Sequence, residues 1–139
     1  MKYSIGIILF ILTGCTNKPS LEDSHKVIID PNPTSEMAQQ MREMTEELEA
    51  IKIKLEKNET LGENLLNFEL IHHQQVTDSS FNKAHIKPMS IAYDYSVGEF
   101  NKEPSVKNYS SIINNCSSCH QLSCQGPLVK INKLMIKNL

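Results

Sequence analysis

The sequence predicts an all-α protein, an antiparallel up-down four-helix bundle closed by a short C-terminal helical tail. Three observations predict it. Apolar residues recur at spacings of three and four rather than two. Helix-start signals stand at Ser35, Thr60 and Ser105. No convincing strand run appears, and the links between the helical patterns are short, which makes successive helices neighbours of opposite direction.

The first helix begins near Ser35, where Thr34 or Ser35 can cap and Glu36 suits the positive end of the helix dipole. Met37, Met41, Met44, Leu48, Ile51 and Leu55 alternate spacings of four and three, the seam of a helix packed at a shallow crossing angle. Lys57-Asn58 ends it. Thr60-Leu61-Gly62-Glu63 fits a capping box, so a second helix is expected, with Leu61, Leu65, Phe68 and His72 on one face and its end at Thr77-Asp78-Ser79-Ser80.

The third helix depends on Pro88. Either Pro88 opens a helix running to about Asn101, or it kinks a longer one that begins near Phe81; the stripe Phe81, Ala84, Pro88, Ala92, Tyr95 favours the longer helix. Ser105 caps the fourth, where Val106, Tyr109, Ile113, Cys116 and His120 share a face with Ile112 and Cys119 beside it. Gly126-Pro127 stops this helix. Leu128, Ile131, Leu134 and Met135 then form the amphipathic tail, with lysines opposite.

The chemistry concentrates in Cys116-Ser117-Ser118-Cys119-His120, a complete Cys-x-x-Cys-His. In an exported protein this pattern attaches haem covalently. Two thiols three residues apart lie nearly on one side of a helix, within reach of the two vinyl groups of one porphyrin, and the adjacent imidazole can ligate the iron. On this reading Cys116 and Cys119 become thioethers of one haem c, and His120 is the proximal ligand. The competing reading is half of a zinc site. Cys124, His72, His73 and His85 are the residues that could complete a tetrahedron, but no second Cys-x-x-Cys or His-x3-His stands at the usual spacing.

The amino terminus agrees with export. Lys2 precedes an apolar run, Ile5 to Leu12, far shorter than the roughly 20 residues that span a bilayer. Residues 1–14 read as a signal peptide, and Leu12-Thr13-Gly14-Cys15 resembles the bacterial lipobox, in which the cysteine is lipidated and becomes the first residue. Acyl chains on Cys15 would anchor the protein at a membrane surface. Residues 15–34 form a Pro-containing tether, which as a flexible coil holds the domain about 25 Å from the bilayer. Residues 35–139 form the folded domain.

The four cysteines are thereby divided: Cys15 to lipid, Cys116 and Cys119 to haem, and Cys124 left as the odd thiol, a small buried apolar side chain or a regulatory one. Without Lys2, thirteen basic groups oppose sixteen acidic ones, about −3, which argues against nucleic-acid binding. Tryptophan is absent and aromatics are few, so a haem buried among the helices would supply much of the missing apolar surface. No general-base pair, nucleophile constellation or phosphate-binding glycine loop points to substrate turnover.

At Cys116, Cys119 and His120, and more loosely over residues 35–124, the chain resembles the cytochrome c prime superfamily and its low-spin relatives, helical bundles with the attachment motif on the final helix. The stretch from Cys116 to Leu134 also looks like the carboxy-terminal signature of bacterial cytochrome c proteins with little assigned function. Cys124, Gly126-Pro127 and the amphipathic tail depart from the short basic end usual in cytochromes c prime. The resemblance implies that a side chain of the first helix faces the distal side of the iron. Met41 is then the expected sixth ligand and Met44, one turn away, the alternative; His72, His73 or His85 would instead give bis-histidine ligation. A side chain there that cannot ligate would leave an open site for NO or CO. Arg42, the only arginine, is a candidate partner for a haem propionate, and Lys130, Lys133 and Lys137 could dock an acidic partner.

The expectation is therefore a monohaem c-type cytochrome, lipid-anchored on the extracytoplasmic side of a bacterial membrane, passing single electrons between redox proteins. A gas-binding haem protein and a haem-free lipoprotein with a zinc or disulfide site are the alternatives. Related bundles imply a homodimer.

Overall fold

The computed structural model describes residues 33–62 and 66–137, which form four α-helices: α1 (Glu36–Glu56), α2 (Ile86–Lys102), α3 (Val106–Leu122) and α4 (Leu128–Leu134). Two 3-10 turns, Ile71–His73 and Ser79–Phe81, lie between α1 and α2. Among the described residues there is no strand. The expected signal peptide, the lipidated Cys15 and the tether up to residue 32 lie outside the described residues. Among those described, no helix is long and apolar enough to cross a membrane.

The helix ends follow local chemistry. Ser35 caps α1, its hydroxyl accepting from the Ala38 N–H at 3.2 Å, and Ser105 caps α3 through the Asn108 N–H at 3.2 Å. At the other end of α1, Asn58 takes a left-handed conformation with φ 53°. The Asn58 and Glu59 amides reach back to the carbonyls of Leu55 and Lys54, the paired bonds of a Schellman cap.

Two expectations are corrected. The longer third helix from Phe81 does not form. Instead α2 starts at Ile86, which puts Pro88 in the first turn, where its missing N–H costs no hydrogen bond and Ala84, whose carbonyl its ring would strike, is outside the helix. Nor does the second helix form: among the described residues from 60 to 77 the only helical piece is the 3-10 turn Ile71–His73. Gly62, near the start of the expected helix, has φ 78°, outside the right-handed helical region.

From Leu66 to Leu70 the chain runs extended where that helix was expected. Burial alternates as an extended chain requires: Leu66, Phe68 and Leu70 turn inward while Asn67 and Glu69 face solvent. Its carbonyls are taken by side chains of the flanking helices rather than by a helical ladder. Asn101 Nδ2 donates to Leu66 O at 2.8 Å, and Gln40 Nε2 to Glu69 O at 2.6 Å. Further along, the Met37 N–H donates to Gln75 O at 3.1 Å. The five residues Leu66–Leu70 cover about 16 Å at extended spacing before the 3-10 turn Ile71–His73.

The core lies where α1, α3 and α4 meet. Tyr109 is fully buried, with its hydroxyl 3.2 Å from Leu48 O and 3.0 Å from Leu134 O, so one phenol ties three helices. Phe100 of α2 packs on its ring edge to face, centroids 6.4 Å apart. Between α2 and α3 the register is reversed: His85 meets Ser123, Asn115 meets Ala92 and Ser96, and Asn108 meets Glu99.

Candidate haem site

Met37, Met41, Met44 and Leu48 fall on one face of α1 because they follow the helical period, and Cys116, Cys119 and His120 do the same near the end of α3. The Tyr109 hydroxyl on Leu48 O ties α3 to α1, and both faces border one cavity. Its volume is about 650 Å³, within the roughly 300–1,000 Å³ typical of cofactor sites. Cys116, Cys119 and His120 line it from α3, and all three methionines from α1. Leu48, Ile71, Ile86, Ile131 and Leu134 complete an apolar wall.

Every site residue expected within the described chain borders this one cavity: Cys116, Cys119, His120, Met41, Met44 and Arg42. Met44 is 3% exposed, whereas Met41 is half-buried. Arg42 is exposed, and its Nη1 donates to Thr34 Oγ1 at 3.1 Å; Lys130 of α4, also exposed, shares the cavity edge. The three alternative histidines stand elsewhere. His72, His73 and His85 do not line the cavity. His72 Nδ1 is 3.0 Å from Ser90 Oγ, and His85 Nε2 is 2.7 Å from Ser123 Oγ.

His120 carries the most specific geometry. Its Nδ1 is 3.2 Å from the main-chain carbonyl of Cys124 and 3.3 Å from the Cys124 thiol. A carbonyl only accepts, so the tautomer with its proton on Nδ1 donates to Cys124 O and leaves the Nε2 lone pair free. That is the tautomer an imidazole needs to bind a metal through Nε2 while a second group orients it. Cys124, which the sequence left as an odd thiol, thus acts by position: it follows His120 by four residues, just where α3 ends and its carbonyl no longer belongs to a helical ladder. Spacing from the histidine and the nearby Gly126-Pro127 stop are the signals that could have found it.

Among the described residues Cys116, Cys119 and Cys124 form no disulfide. Burial pushes Cys116 up to about 12, with Cys119 alongside adding to the effect. Burial likewise raises Cys119, against a hydrogen bond to Ser123, and Cys124, against the charge of Lys83. The unloaded thiols are therefore neutral at pH 7. Among the described residues no three His, Cys, Asp or Glu side chains gather as a metal site.

The donor set fits a haem. Two thiols and an imidazole on one wall, thioethers on the facing wall, apolar sides and a basic edge match what a covalent porphyrin requires of its protein. Comparisons with protein-family models, curated proteins and solved structures each returned no match.

Proposed function

We propose that this chain is a membrane-tethered, single-haem c-type cytochrome that carries single electrons between extracytoplasmic redox proteins. The observation that carries this reading is the convergence of a complete Cys-x-x-Cys-His with an opposing methionine face on one apolar cavity. Cys116 and Cys119 would hold the haem as thioethers, His120 would ligate its iron through Nε2, and Met41 would supply the sixth ligand, with Met44 as the alternative. Haem supplies the one-electron iron couple. The chain's own residues bind it, exclude water with Leu48, Ile71 and Ile131, and fix His120 through Cys124 O. Arg42 and Lys130 suit carboxylates at the cavity edge.

The reversed register of α2 on α3, and the cavity bordered by Met41 from α1 and Cys119 from α3, support an up-down bundle in which residues 66–75, extended over Leu66–Leu70 and turned at Ile71–His73, take the place of the second helix. Cys15 would carry the lipid, and homodimerisation is carried over from the resemblance.

The test is the absorption spectrum of the mature chain, produced in a host able to attach haem, with the intact mass measured alongside. The expected result is one haem mass per chain, resistant to acid-acetone extraction, and a low-spin oxidised spectrum with a sulfur-to-iron charge-transfer band. A high-spin spectrum that changes at once with carbon monoxide would turn the reading to a gas-binding protein. Unmodified thiols would end both.

A further inference from the structure

The acceptor that orients His120 sits on a turn, not on a helix. α3 ends at Leu122, and Ser123 is its last capped residue, its N–H still bonded to Cys119 O at 3.0 Å. Beyond it the chain bends through Cys124 to Gly126 before α4 begins. Such a turn, half-exposed and without a ladder of its own, frays easily. Two side chains from the segment ahead of α2, some forty residues away in sequence, hold it. His85 Nε2 lies 2.7 Å from Ser123 Oγ, and Lys83 Nζ donates to Ser123 O at 3.2 Å.

We propose that Lys83 and His85 are positioning residues for His120: by pinning Ser123 they hold the Cys124 carbonyl against Nδ1 and so select the tautomer and orientation of the ring. Neither borders the cavity, so neither touches what the cavity holds. The tautomer is a property of the chain alone. Its redox consequence rests on the haem reading: a donated Nδ1–H makes the imidazole a more basic ligand, which favours ferric iron and lowers the reduction potential.

The experiment uses the full chain in both states. Nitrogen-15 spectra of the imidazoles in unloaded wild-type protein are expected to give His120 protonated on Nδ1. His85→Leu is expected to mix the two tautomers. His85→Gln, whose amide can still bond Ser123 Oγ, is expected to restore the wild-type pattern. In haem-loaded protein, His85→Leu raises the reduction potential, and His85→Gln returns it. Should His85→Leu fail to fold, Lys83→Met removes the other contact on Ser123 from an exposed position outside the cavity and is read by the same signals. The inference is overturned if His120 keeps one tautomer and an unchanged potential when the contact is lost, or if His85→Gln behaves like His85→Leu. A wild-type chain that takes no haem, yet whose tautomer responds as stated, removes the proposed function and leaves the positioning role standing.

Discussion

Met41 and Met44 border the same cavity but differ in how far they are enclosed, and on the proposed haem reading that difference separates their roles. Met41 is half-buried and Met44 is 3% exposed within the core cluster. Met41→Leu in the haem-loaded protein should therefore abolish the sulfur-to-iron band and give a high-spin spectrum, while Met44→Leu keeps the band and costs less than about 1.5 kcal/mol in urea unfolding. The reverse outcome would move the sixth ligand to Met44. Another residue-scale effect concerns His72, whose pKa is lowered first by burial and then by the charges of His73 and Lys87. The folded state prefers the neutral ring, so the unfolded chain takes up the proton first. Its contribution to stability is complete above the ordinary value of 6.5 and declines as pH falls below that value through the lower folded one. Replacing His72 by Asn should flatten the dependence of the urea midpoint on pH between 7 and 5.

At the scale of elements, capping serine and proline placement were legible because they are local. Ser35 and Ser105 each satisfy an amide within three residues, and the Lys57-Asn58 stop is a backbone conformation asparagine tolerates. Ser105→Ala should cost about 1 kcal/mol, read as a lower thermal midpoint of the α3 circular-dichroism signal. The second helix was misread because its capping box is equally local, whereas its competitor is not. Gln40 and Asn101 lie 29 and 35 residues from the carbonyls they bind. No window of the sequence containing Thr60 and Phe68 displays those partners, and periodicity near Leu61 and Leu65 could not weigh them. Gln40→Ala should leave Glu69 O without its partner and cost about 1–2 kcal/mol in chemical denaturation. An unchanged midpoint would mean that the extended segment is held by its apolar residues alone.

At the scale of the whole molecule, two buried tyrosines make a contrast. Tyr109 bonds main-chain carbonyls of α1 and α4, while the hydroxyl of Tyr93, buried against the same core, has no hydrogen-bond partner among the described residues. Burial raises both phenols well above their ordinary range, so both stay neutral. Tyr109→Phe should destabilise the protein by about 1–2 kcal/mol and loosen α4, whereas Tyr93→Phe should be neutral or stabilising, since it removes a buried polar atom that gains nothing. Equal losses in the two variants, measured by urea unfolding, would contradict this account.

The residue types and spacings of Cys116, Cys119 and His120, the methionine face of α1 and most helix ends were determined by the sequence itself, because helical period and capping chemistry act over a few residues. Only the tertiary structure decided that Met41 and Cys119 border one cavity, that residues 66–70 run extended where a helix was expected, and that Cys124 O lies against His120 Nδ1. Each of these depends on groups brought together by packing, or by the point at which a helix lets its last carbonyls go. Hydrogen-bond competition between distant side chains and a local ladder is settled by total free energy, and a short stretch of sequence carries only one side of that comparison.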